Sequence, residues 1–281
     1  MSIYKNTLPL LMTLTMTLSA VACGDDSDDS GSSDTPDGGA DNGGEDAPAA
    51  IPSAVRTAHL SPDVPPVDFC FVPADGDPIG PVLEESGLRD GIAFGDITPY
   101  LPVEEGIYAV RVVADDATDC TAAVTEFPSV AVPAGGFEIT AAVVGFADPA
   151  TDPELELIFW IDDNNDPAAD RSKLRFIHTS PGTPAVDAGL LAPGQITLAE
   201  DDILFDTITY KQTASPAYVE LEPLADSTMR VQAADDPNVG VDLSGLTIPA
   251  GTVATVFAIG ELADLRVLVC IDNDDGSCSL P

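Results

Sequence analysis

Two stretches of this chain carry the residue types of a nucleophilic triad at matching places. Val55-Arg56-Thr57-Ala58-His59-Leu60-Ser61-Pro62 runs on to Asp68, and Leu174-Arg175-Phe176-Ile177-His178-Thr179-Ser180-Pro181 runs on to Asp187. A serine becomes a nucleophile when an imidazole takes its proton, a carboxylate orients that imidazole and oxyanion donors stand beside it. His59 and Ser61 are two residues apart, as are His178 and Ser180, so on a strand each pair shares a face. Each serine nevertheless precedes a proline, with neither a Gly-x-Ser-x-Gly elbow nor an oxyanion-hole signature nearby. The expectation is therefore structural. Ser-Pro and the aspartate cap turns, and the histidine ties its strand to the following loop. A hydrolase built on His-x-Ser-Pro is kept as one alternative.

A second chemistry is suggested by oxygen-rich segments. Asp162, Asn164 and Asp166 alternate in one, Asp272 and Asp274 in the other, and alternating oxygen ligands suit Ca2+. Asp272-x-Asp274-x-Gly276 is a fragment of a calcium loop, whose full form would need a further oxygen residue at the third ligand position and a distant bidentate glutamate, and neither appears. Calcium-dependent binding or adhesion is the second alternative, beside a solvated acidic linker. The shared cations Arg56 with Arg175 and Arg111 with Arg230 are expected to form internal ion pairs with nearby aspartates. Tyr100 follows Pro99 and Tyr218 stands two residues after Pro216, at equivalent points, and both are expected to be corner tyrosines. Trp160, aligned with Cys270, is expected in the core.

These residues lie in a repeat. Seven of the fourteen positions from Val55 to Asp68 are identical in Leu174 to Asp187, and the chain's only two histidines fill the same slot. The match continues through Arg111-Val112 with Arg230-Val231 and Val132-Pro133-Ala134-Gly135 with Ile248-Pro249-Ala250-Gly251. It ends in Leu155 to Asp162 with Leu265 to Asp272. A repeat of this length predicts two copies of one fold. The division expected is residues 53–162, a linker 163–172, and residues 173–281 including a C-terminal tail.

Each copy reads as strands. Tyr108, Val110 and Val112 alternate with Ala109 and Arg111, while Phe137 to Val144 and Thr252 to Ile259 are apolar runs dense in β-branched residues. Pro81 to Leu88 allows one helical turn. Short strands separated by Pro, Gly and Asp predict an all-β protein: two tandem antiparallel β-sandwiches of immunoglobulin-like, Greek-key type, with a small barrel as the other option. The run Arg-x-x-His-x-Ser-Pro-x-x-Pro-x-Val-Asp, a later proline–tyrosine pair and Pro-Ala-Gly before an apolar strand together resemble the domain of unknown function 4397 family. The resemblance covers most of residues 53–272. It implies a bacterial envelope or secreted β-domain, often in tandem, and brings no established activity.

The ends give an address. Lys5, an apolar stretch from Leu8 to Leu18, and Ala20-Val21-Ala22 before Cys23 have the order of an export signal with a lipobox. Residues 1–22 are read as the signal peptide and Cys23 as the lipidated residue, an ordinary secretory signal being the other reading. Residues 23–52 form an acidic tether without an aromatic residue, expected to be disordered. Gly24 after the cysteine favours the outer membrane, with either face open. The protein is expected to meet the membrane by its lipid anchor alone.

Forty-eight acidic residues face ten basic ones, and loss of Lys5 with the signal leaves nine, so the mature charge is near −39. Such a charge argues against nucleic acid as a partner. Removing Cys23 from five cysteines leaves Cys70, Cys120, Cys270 and Cys278, which allow three connectivities in an oxidising compartment. Cys70 and Cys120 are each missing from the other copy, which argues that they pair, and Cys270 with Cys278 would close a short loop. The reading is a non-enzymatic, lipid-anchored envelope protein with a structural or binding role towards a polysaccharide or protein.

Overall fold

The computed structural model describes residues 51–87, 91–273 and 278–279. Cys23, the residue expected to be lipidated, residues 24–50 of the expected tether, and Asp274 lie outside them. Pro48–Pro281 forms one compact unit.

The first half contains β1 (Ser53–His59), β2 (Val67–Pro73), the single turn α1 (Val82–Glu85), β3 (Leu101–Val103), β4 (Gly106–Ala114), β5 (Ala123–Val132), β6 (Glu138–Val144) and β7 (Glu156–Asp162). The second contains β8 (Ser172–His178), β9 (Val186–Leu190), β10 (Ile203–Ile208), β11 (Thr213–Leu221), β12 (Leu224–Ala233), β13 (Gly240–Ile248), β14 (Val253–Ile259), β15 (Arg266–Ile271) and β16 (Cys278–Ser279). The chain is all-β, as its alternation and turn residues predict, and its sheets stay open rather than closing into a barrel.

Four sheets form. Their orders are β3-β1-β6-β7 and β2-β4-β5 in the first half, β11-β8-β14-β15-β16 and β10-β9-β12-β13 in the second. Most pairings are antiparallel, but β1 runs parallel to β6 and β8 parallel to β14. The sheets are thus mixed. A parallel neighbour needs a long return connection, and here the strands of the outer sheet supply it.

Side-chain alternation sets the layers. On β14, Ala254, Val256 and Ala258 join the core with the outer sheet, while Phe257 and Ile259 join a second cluster with Ala58, Ala142, Val144 and Ile177. On β6, Val143 packs towards β2 and β4, and Ala142 and Val144 pack towards the second half. The two inner sheets therefore bury both faces. That is why β6 and β14 read as continuous apolar runs whereas β4 alternates. Trp160 packs edge-on against Phe257 in this shared layer.

Two disulfides are formed, Cys70–Cys120 and Cys270–Cys278. The first ties β2 to the segment before β5. The second holds β16 against β15, with Cys270 and Cys278 as register partners.

Candidate functional site

The repeat motif closes the end of each inner sheet. His59 and Ser61 are fully buried, and Asp68 is 1% exposed. His59 Nε2 lies 3.1 Å from both Val64 O and Pro65 O, so this nitrogen carries the proton and donates. Ser61 Oγ donates to Gly145 O at 2.6 Å and approaches Asp63 Oδ1 at 3.1 Å. Asp68 accepts from the N–H groups of Phe69, Leu83 and Glu84, the last two opening α1.

The second half repeats this plan. His178 Nε2 donates to Pro184 O at 3.0 Å, and its Nδ1 accepts from Ser180 N–H. Ser180 Oγ bonds Gly260 O and Thr183 Oγ1, while Asp187 accepts from Thr207 N–H, holding a residue at φ 53°. Phe94 and Tyr210 stand edge-on to the two imidazoles. Burial lowers both histidine pKa values, against the carbonyls that favour the charged form, so both rings are neutral. Pro62 and Pro181 follow the bonded serines directly. Neither serine hydroxyl thus bonds its histidine and neither aspartate bonds an imidazole; the one bond within the set is from the Ser180 backbone N–H to His178 Nδ1.

A charged cluster occupies the middle of the layer between the halves. Arg56 and Arg175 are 0% and 1% exposed. On each side an arginine Nε donates to a threonine on the neighbouring parallel strand: Arg56 to Thr140 at 2.8 Å, Arg175 to Thr255 at 3.0 Å. Each threonine hydroxyl then donates to an aspartate of its own half, Thr140 to Asp162 at 2.7 Å and Thr255 to Asp272 at 2.5 Å. The ionic contacts cross over. Arg175 Nη2 meets Asp162 Oδ1 at 2.5 Å, and Arg56 Nη1 lies 2.7 Å from Asp272 Oδ1 without an N–H aimed at it.

Tyrosines roof the cluster. The Arg56 guanidinium stacks over Tyr100 at 5.0 Å and that of Arg175 over Tyr218 at 4.8 Å. Tyr100 donates its hydroxyl proton to Asp162, and Tyr218 accepts from Asp163 N–H. Burial pushes the Tyr218 hydroxyl up to about 12 and that of Tyr100 higher still. Burial also raises Asp272, with both arginines pulling the other way. For Arg56, burial opposes the charge, yet the Asp272 and Asp162 carboxylates hold its pKa above the usual value.

This geometry redirects the oxygen-rich segments. Asp162 and Asp272 face guanidinium groups. Asn164 Nδ2 donates to the Tyr100 hydroxyl, and Asp166 Oδ1 accepts from Asn273 Nδ2. No group of three or more His, Cys, Asp or Glu arranged to hold a metal occurs among the described residues. Arg111 and Arg230 pair across neighbouring strands, with Glu126 and Asp242 respectively.

Residues 53–189 match the family model described as Domain of unknown function (DUF4397). This stretch is similar to that family, consistent with a DUF4397-like domain. The matched range runs from β1 to β9 and so includes both histidine motifs and three of the four cluster charges, Arg56, Asp162 and Arg175. No curated protein matches the chain. The crossing of the ion pairs between halves, and the part played by Thr140 and Thr255, were missed from sequence. A polar residue at one aligned position within both apolar runs was the available signal.

Proposed function

We propose that this chain is a lipid-anchored protein of the bacterial cell envelope, anchored in the outer membrane at its periplasmic or outer face. Its DUF4397 sandwiches serve a non-catalytic, structural or binding role towards an envelope polysaccharide or protein, and not towards nucleic acid. The observation that carries this reading is the inward bonding of the repeat motif. His59, Ser61, Asp68, His178, Ser180 and Asp187 are all buried and hydrogen-bonded to the chain itself. What is repeated is thus a means of holding sheets and turns rigid, and rigid sheets present loops for recognition. The small residues before Cys23, the acidic segment after it and the charge balance support the address.

The test has two arms. Replacing Cys23 by Ser should move the protein from the membrane fraction to the soluble one; retention in the membrane would remove the lipid anchor from the reading. The soluble variant should then bind one fraction of purified envelope saturably. Absence of saturable retention on every polysaccharide and protein fraction would leave a spacer role instead.

A further inference from the structure

We propose that β7 is a docking edge, and that its occupant is the β7 strand of a second copy of this chain, joined antiparallel so that two inner sheets become one. The proposal is independent of the lipid anchor.

An unpaired sheet edge recruits further strands unless shortness, proline, charge or a bulge protects it. Among the described strands the other edges are protected. β3 has three residues, one of them Pro102. β5 and β11 contain Pro128 and Pro216 and show register shifts. β10 and β13 are irregular in register, and β2 is bridged by Ile79 and Ile92. β7 differs from all of these. It holds an unbroken seven-residue register with β6, its single strand neighbour, and its interior reads Leu157-Ile158-Phe159-Trp160-Ile161. Phe159 and Ile161 are 44% and 62% exposed.

Three observations select a second copy. The equivalent strand in the second half, β15, already carries an added antiparallel strand, β16, so this edge of the fold accepts one. β7 is self-complementary: centred on Phe159, an antiparallel pair sets Phe159 against its twin, Leu157 against Ile161 and Ile158 against Trp160. Apolar residues then meet on both faces. Finally, the acids flanking this interior are neutralised. Lys211, Arg175 and Lys173 bind Glu156, Asp162 and Asp163 respectively, and Lys173 and Lys211 are the only lysines after Lys5. On a chain of formal charge −38, this strip can approach its own copy with little local repulsion.

The test uses the mature chain carrying Cys23→Ser, in sedimentation across protein and salt concentration. A species of twice the chain mass is expected, favoured by salt because salt screens the like net charges. Phe159→Lys with Ile161→Lys should give the single-chain mass while retaining the parent's circular dichroism and urea midpoint. Val124→Lys, on exposed positions of β5, should leave the dimer intact. Phe159→Cys should cross-link to a double-mass band under oxidation, since facing residues place their Cβ atoms about 5 Å apart. A single-chain mass under all conditions overturns the proposal, as does a dimer indifferent to the double-lysine variant or a Phe159→Cys chain that fails to cross-link.

Discussion

At the scale of single residues, charge burial dominates. Removing one member of a buried ion pair strands its partner and costs about 3–5 kcal/mol. Asp162 receives Arg175, Thr140 and Tyr100, whereas Asp272 receives Thr255 and an off-axis Arg56. Asp162→Ala should therefore destabilise more than Asp272→Ala, both by about 3–5 kcal/mol in urea unfolding. Equal or reversed losses would show that the crossed pairs are not arranged as described. The histidines give a pH signature. Their unfolded value is near 6.5 and their folded values are lower, so below that point the unfolded chain binds more protons. Their contribution to stability is full above pH 6.5 and falls as pH drops through it towards the folded values, by at most about 1.4 kcal/mol per pH unit for each ring. Asp272, raised by burial, contributes with the opposite sign lower down, in the carboxylate range. Because the chain has two histidines, two imidazole proton resonances should both titrate below 6.5; either one titrating above it would remove the buried, neutral assignment.

At the scale of elements, the disulfides act on the unfolded chain. Cys70–Cys120 closes a span of 50 residues and Cys270–Cys278 one of 8. Loop-closure entropy assigns them about 4 and 2.5 kcal/mol respectively. Paired Cys→Ser substitutions should lower the urea midpoint in that order, and a larger loss from the shorter loop would point to a packing role for β16. Much of this level was legible in the sequence. The alternation on β4, the Pro-Ala-Gly turns and the absence of Cys70 and Cys120 from the other copy pointed to strands, turns and pairing. The parallel register of β1 with β6 was not legible, because a strand buried on both faces carries no sign of its neighbour's direction. Nor was the use of Asp162 and Asp272. A calcium ligand and an arginine partner are written with the same letter, and only the contact of β8 with the end of β7, and of β1 with the end of β15, across the halves separates them. For the motif itself, residue types suggested a triad, while the bonding of serine to Gly145 O and Gly260 O follows from backbone geometry that spacing alone does not encode.

At the scale of the whole molecule, the shared layer makes the two halves interdependent. The apolar cluster that joins them draws Ala58, Leu60, Ala142 and Val144 from one half and Ile177, Phe257, Ile259 and Leu268 from the other. Each buried arginine finds its carboxylate across the same layer. A half expressed alone would expose that apolar face to water and leave its arginine without the crossed partner. Two sandwiches joined by a linker would otherwise be expected to unfold separately. The physical consequence here is one cooperative transition for the entire body, followed equally by circular dichroism and tryptophan fluorescence, since Trp160 sits at the layer. Chains truncated after Pro167 or beginning there should fail to show a cooperative transition alone and recover it when mixed, because mixing restores both the apolar contact and the crossed ion pairs. A half that unfolds cooperatively by itself, with a midpoint like that of the full chain, would mean that the layer is a contact between finished domains and not part of one core.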